Sequence, residues 1–323
     1  MLGLSHPTWY VTPSPIKDGA GGSGGTTQGR ITCKNGAHQT DPKPIKKARR
    51  SRYAYGVLLE IDLSQIELRV AALLSGEPTL ADAYKLGWDL HGRRAHNVWS
   101  TPNLQLRYPH LAEQSLDIWK NDPTFNARER QVGKRTNFAD LFRAGPTTMQ
   151  HSVYGDINEL FPIEFFKAIA DRRQYDRPIL WQWQEERIHE AHTTGRITLP
   201  FTGQSRYFMN DREDRLANYE VNEIVNMPVQ CTAGNILLRL QHYFRALHTK
   251  QKTSEWCMIL NVYDAIYFDC STEAIANNLI TQFQYAIDWL CTRDLWHMLQ
   301  THYSREVPIQ FDSQISRFSD ATP

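Results

Sequence analysis

Two hydrophobic periods take turns along this chain. VLLEID at 57–62 is a short apolar run of the kind a buried strand needs. In SQIELRVAALLSG, which follows, Ile66, Val70, Leu73 and Leu74 recur at helical spacing and Gly76 supplies the stop. Ser64 and Glu67 have the S-x-x-E spacing of a capping box at the start of that helix. Pro78 can open the next helix, where a missing N–H costs little. Further helices are predicted over 124–144, closed by Gly145-Pro146, over a Trp-rich stretch at 172–194, and through 220–247. ILNVYDAIYFDC at 259–270 alternates tightly and is rich in β-branched and aromatic residues, as a hairpin requires. A long helix at 272–300 and a short VPIQFD strand close the pattern. The expected class is α/β (α+β), with helices outnumbering strands.

The first 56 residues lack such periodicity. They are rich in Pro, Gly and basic residues, and GAGGSGG at 19–25 reads as a flexible loop. Among 323 residues, 41% are hydrophobic and 22% charged, enough for a real core and against wholesale disorder. The formal charge of +1 announces no nucleic-acid partner, so any basic surface is local. One such strip is KPIKKARRSR, with Lys43, Lys46, Lys47, Arg49, Arg50 and Arg52. It reads equally as a solvated loop, an import signal or a row of phosphate contacts. The five cysteines show no C-x-x-C pair and no zinc spacing, and read as reduced intracellular thiols. With no long apolar run and no signal peptide, the expectation is a soluble, non-secreted protein without a membrane partner.

Candidate chemistry rests first on carboxylates. Asp62 falls where a strand gives way to a helix, and Asp264 near the hairpin turn. Such a pair offers hard oxygen ligands suited to Mg²⁺ and two-metal phosphoryl transfer, although spacing alone equally describes surface carboxylates. On the helix predicted at 124–144, Arg130, Lys134, Phe138 and Phe142 are successive i, i+4 neighbours. That stripe is either a basic face running into a core edge or a seat for a triphosphate, with cations on phosphates and rings on sugar and base.

More residues decide between these readings. DLSQIELRVAALLSGEP (62–78) resembles motif A of family A (DNA polymerase I-like) DNA polymerases, D-Y-S-Q-I-E-L-R, with Leu63 in place of the Tyr. RERQVGKRTNFADLFRAG (128–145) resembles motif B, R-x-x-x-K-x-x-x-F-G-x-x-Y-G, with Ala139 for Gly and Phe142 for Tyr. NVYDAIYFD (261–269) resembles motif C, V-H-D-E, with Tyr263 and Ala265 for His and Glu. The resemblance implies that Asp62, Asp264 and the backbone carbonyl of Leu63 hold two Mg²⁺ ions, with Mn²⁺ as a substitute. It implies that Asp62, Asp264 and Lys134 are catalytic. Ser64, Gln65, Glu67, His91, Arg130, Lys134, Phe138 and Phe142 would meet the deoxynucleoside triphosphate, with Glu67 crowding out a ribose 2′-OH. Phe142 lacks a hydroxyl able to bond Glu67, which implies looser sugar selection, and Phe138 implies poorer acceptance of dideoxynucleotides.

Smaller matches occur in the same order. TTQGR (26–30) resembles T-x-x-G-R, and DLH (89–91) resembles the D-I-H of the fingers. TGQSRYF (202–208) resembles F-G-R-x-R-Y-L, and NMPVQCTAGNIL (226–237) resembles N-A-P-x-Q-G-T-A-A-D. Arg30, Asn226, Gln230 and Tyr263 would thereby contact a DNA primer–template. The implied fold is a right-hand polymerase. A loop-rich part of the palm at 1–56, motif A at 57–72 and the palm's remainder at 226–323 would share an antiparallel sheet, with helical fingers at 73–225. Thumb and exonuclease domains are absent from this reading, so a separate thumb or exonuclease chain, or a fragment of a longer product, is expected. The implied setting is the cytoplasm of a bacterial or phage-infected cell. Two rivals remain: a single-subunit RNA polymerase, opposed by Glu67, and a catalytically weak or silent DNA-binding subunit, suggested by Tyr263 and Ala265.

Overall fold

A computed structural model describes residues 8–10, 32–34, 49–99, 127–208 and 218–317. The T-x-x-G-R element with Arg30, the GAGGSGG loop and Lys43 to Lys47 lie outside the described residues. In chain order the strands are β1 (Thr8–Tyr10), β2 (Thr32–Lys34), β3 (Val57–Leu63), β4 (Arg196–Thr198), β5 (Ser205–Tyr207), β6 (Trp256–Val262), β7 (Ala265–Cys270) and β8 (Phe311–Ser316). The helices begin with α1 (Ile66–Ser75), α2 (Pro78–Lys85), α3 (Leu90–Trp99), α4 (Ala127–Leu141) and α5 (Pro146–Ile157). They continue with α6 (Ile163–Asp171), α7 (Arg173–Asp176), α8 (Pro178–Thr194), α9 (Asn218–Gln251), α10 (Glu273–Arg293) and α11 (Leu295–Tyr303). The chain divides into two compact units. One comprises 1–67, 230–299 and 309–323, the other 68–229 and 300–308.

The first unit is built on an antiparallel sheet in the order β6–β7–β3–β8. β7 is buried at every position, as an inner strand must be when both faces are covered. β3 buries Val57, Leu59, Ile61 and Leu63 and turns Asp62 outward. Helix α10 lays Leu279, Phe283, Ala286, Ile287 and Leu290 into the core at helical spacing. Phe283 stacks on Phe244 at 5.5 Å, and Phe244 meets Phe268 at 5.0 Å. Each such ring contributes about 1.5–3 kcal/mol through burial. Ser51 donates to the buried carboxylate of Asp269 at 2.5 Å, and the backbone N–H of Arg52 reaches its other oxygen at 3.3 Å. The end of the basic strip is thus fastened to the hairpin. Cys257 stands opposite Asp269 and Cys270 opposite Trp256, and both thiols are free. Burial pushes the Cys270 thiol up to about 12, which makes it unreactive.

Three boundaries differ from the expectation. The terminal strand is Phe311–Ser316, so VPIQ only leads into it. The helix predicted at 272–300 breaks at Asp294, whose backbone is extended and whose carboxylate pairs with Arg239 at 2.5 Å. The Trp-rich helix breaks before Pro178, because the residue preceding a proline is driven out of the helical region. The capping box also fails in its expected register. Gln65 has φ +52, so the helix starts at Ile66, and the Ser64 hydroxyl donates to Asp312.

The second unit, among the described residues, is mainly helical. Trp99, Val132, Met149, Val153, Phe165, Phe166 and Ile169 share one core cluster. α3 and α4 approach closely at Gly133, where an added Cβ would stand 2.3 Å from the His91 carbonyl oxygen and 2.7 Å from the Ala95 nitrogen. Gly133→Ala gains about 1 kcal/mol of helix propensity. That gain is outweighed by a collision with backbone that cannot swing aside. We expect a net loss of about 1–3 kcal/mol, read from urea unfolding; an unchanged midpoint would contradict this packing.

Buried ions tie the same helices together. Asp140 meets Arg94 at 2.6 Å and Arg173 at 2.9 Å, and Arg94 also meets Asp176 at 2.7 Å. Removing one member would strand a buried charge. Glu77, 1% exposed, caps two helices at once. Its carboxylate accepts from the N–H groups of Thr79, Ile179 and Leu180.

Candidate active site

The sheet register sets the backbones of Asp62 and Asp264 side by side. Asp62 lies opposite Ala265, and the Leu63 N–H donates to the Asp264 carbonyl at 3.1 Å. Asp264 and Tyr263 form the two-residue turn between β6 and β7. Tyr263 has φ +53, a left-handed conformation unusual for a bulky residue, and is 54% exposed. Strain of this kind is kept where surrounding contacts over-determine it. Here the buried Asn261 amide donates to the Ala265 carbonyl at 3.1 Å and to the Tyr263 carbonyl at 3.4 Å, bracing the turn from inside.

On the other side of β3, Asp312 lies directly opposite Asp62. Directly opposed residues share a face, so two carboxylates are held close in an exposed row. That repulsion favours a cation. Among the described residues no group of three or more His, Cys, Asp or Glu is arranged to hold a metal ion. Asp312 was not singled out in the sequence; its only trace there is the acidic end of VPIQFD.

In the second unit, α4 carries its motif residues on one partly exposed edge. Arg130, Lys134, Phe138 and, just past the helix end, Phe142 are partly exposed, while Val132, Gly133, Thr136, Asn137 and Asp140 face inward. Phe138 stacks on Phe142 at 6.1 Å and lies 6.1 Å from the His91 ring. Lys134 forms no ion pair among the described residues. Arg130 is engaged: its Nε and terminal nitrogen meet the Asp89 carboxylate at 2.5 and 2.8 Å. Asp89 in turn accepts from the N–H of His91 at 3.3 Å and of Gly92 at 3.1 Å, opening α3. Asp89 thus holds the Arg130 guanidinium in place.

His91 is 3% exposed. Desolvation pushes its pKa down to about 3, helped by the positive charges of Arg130, Lys134 and Arg177. It is a neutral imidazole near pH 7. Arg69 of motif A is buried and structural, donating to the Pro308 carbonyl and lying 4.2 Å from the Tyr84 ring centre. Asn226 and Gln230 stand one turn apart on α9, and each has a buried side-chain oxygen without a hydrogen-bond partner among the described residues. Such atoms want a donor. Glu67 is half-buried at the start of α1.

Comparison with known proteins follows the same line. DNA polymerase I A, chloroplastic/mitochondrial, of Arabidopsis thaliana is 25% identical over 278 residues, covering 79% of this chain and 25% of that protein. The thermostable DNA polymerase I of Thermus aquaticus is 26% identical over 257 residues, covering 77% of this chain and 27% of that protein. The chain thus spans about a quarter of the length of these relatives. The POL domain of Pol1 from M. smegmatis, solved in complex with DNA primer-template and dNTP, superposes with a TM-score of 0.65 at 19% identity. That alignment covers 92% of this chain and 47% of the other. Because the model of DNA polymerase family A also matches residues 23–289, the chain belongs to that family.

Proposed function

We propose that this chain catalyses template-directed addition of deoxynucleoside monophosphates to a primer 3′-OH, with DNA as the template. The observation that carries the reading is the register in which β7 sets Asp264 beside Asp62 at the open end of β3. Asp62, Asp264 and the Leu63 carbonyl would hold two Mg²⁺ ions. Magnesium bound there supplies Lewis acidity that activates the attacking hydroxyl and steadies the leaving oxygen. The remaining ligands would be substrate oxygens and water, as is usual for an ion that dehydrates reluctantly.

The chain's own groups then bind and orient. In this reading residues 73–225 act as fingers, and 1–56, 57–72 and 226–323 act as palm. Lys134, Arg130 and His91 receive the triphosphate, and Phe138 and Phe142 pack against sugar and base. Glu67 fills the space a 2′-OH would need, while Ser64 and Gln65 shape the turn leading to it. Asn226 and Gln230 would face donors on the duplex, Arg30 would reach the primer–template end, and Tyr263 would pack beside the primer terminus.

Primer extension with Mg²⁺ tests this reading, comparing the unaltered chain with Asp264→Asn and deoxy- with ribonucleotides. Deoxynucleotide addition that disappears in Asp264→Asn is the expected result. Preferential ribonucleotide use would favour an RNA polymerase. Ala265, buried where motif C has Glu, favours one alternative, a silent DNA-binding subunit. DNA binding by the unaltered chain without any extension would select that alternative.

A further inference from the structure

Asn137 stands in the middle of a buried chain of three polar side chains. His91, Asn137 and Arg177 are 3%, 0% and 7% exposed. A terminal nitrogen of Arg177 donates to Asn137 Oδ1. Asn137 Nδ2 donates to the Leu90 carbonyl at 3.2 Å and lies 3.0 Å from His91 Nδ1. A guanidinium has donors only, so the amide oxygen must face it. The amide NH₂ is then committed to Leu90 and His91, and two donors cannot face each other without a large cost in a buried place. His91 Nδ1 must therefore present its lone pair, and the ring proton resides on Nε2.

We propose that Asn137, oriented by Arg177, is a positioning residue that locks His91 as the neutral Nε2–H tautomer, so that the imidazole offers an N–H to the nucleotide's phosphate oxygens. This rests on reading His91 as a nucleotide contact. Tautomer matters there because the opposite form would turn a lone pair toward anionic oxygens. The charged groups around the ring act in the same sense. Arg177 behind it and Arg130 and Lys134 on α4 all disfavour an imidazolium, and Asp89 is already occupied by Arg130. The hydrogen bond at Nδ1 then decides which neutral form remains. The sequence gives no hint of the device, since Asn137 is simply the residue before Phe138 and Arg177 the one before Pro178.

The test is nuclear magnetic resonance of the ¹⁵N-histidine-labelled chain, with the His91 signals assigned by their loss in His91→Gln. Between pH 6 and 8 the free protein should show His91 neutral and protonated at Nε2. Asn137→Asp keeps the shape and the Arg177 pairing but puts an acceptor before Nδ1, and should move a proton onto that nitrogen. Its affinity for dATP with Mg²⁺ should fall roughly tenfold, as for loss of one hydrogen bond to a charged group. A wild-type His91 protonated at Nδ1, or an Asn137→Asp variant with an unchanged tautomer, would overturn the proposal. If Asn137→Asp does not fold, the wild-type spectrum decides alone. Addition of dATP and Mg²⁺ should also shift the Nε2 signal. An Nε2–H tautomer that ignores dATP would overturn the nucleotide contact and leave the lock standing.

Discussion

Replacing Asp62 by Asn is expected to lower primer extension about 10³-fold while the fold stays intact. The loss follows from charge: a metal-stabilised transition state draws several kcal/mol from its anionic ligands, and each 1.4 kcal/mol is tenfold in rate. Asn keeps the shape and the strand but supplies no anion. The stability side is particular to this sheet. Asp62 is exposed on β3, so the isosteric change leaves the buried face of the strand, Val57, Leu59, Ile61 and Leu63, untouched. Thermal unfolding beside extension kinetics separates the two effects. A variant that loses activity by unfolding, or one that keeps its rate, would remove Asp62 from the role assigned to it.

Acid is expected to destabilise the helical unit through His91. The folded pKa of about 3 lies below the ordinary 6.5, so the folded form refuses a proton that the unfolded form accepts. Stability from this group is complete above pH 6.5 and is lost as pH falls toward 3, at roughly 1.4 kcal/mol per pH unit. Burial is the main cause, and the nearby cations Arg130, Lys134 and Arg177 add to it. The window to read is pH 5 to 6.5, above the ordinary carboxylate range. Urea midpoints across that window should slope for the unaltered chain and flatten in His91→Gln. Equal slopes would mean that His91 takes up its proton without unfolding.

Much of the chemistry was written in local order. Strand, turn and helix around Asp62 followed from VLLEID and the apolar spacing after it, and the hairpin around Asp264 followed from alternation. The stripe from Arg130 to Phe142 needed only the helical repeat. The missed features depend on residues distant in sequence. Asp89 meets Arg130 across 41 positions, Arg177 meets Asn137 across 40, and Ser64 meets Asp312 across 248. The Ser64–Glu67 capping box shows the conflict directly. Its local pattern is complete, yet Gln65 takes a left-handed conformation and Ser64 is held by β8.

The sequence by itself determined the family and singled out the two candidate carboxylates and the residues of the α4 stripe. These rest on residue types at short spacings, which helix and strand periods convert directly into faces. Tertiary structure alone decided which groups surround those residues: Asp89 on Arg130, Asn261 under the Tyr263 turn, Asp312 opposite Asp62, and Asn137 beside His91. Hydrogen-bond direction and burial are properties of juxtaposed segments, and no local period encodes which distant donor a buried acceptor will meet.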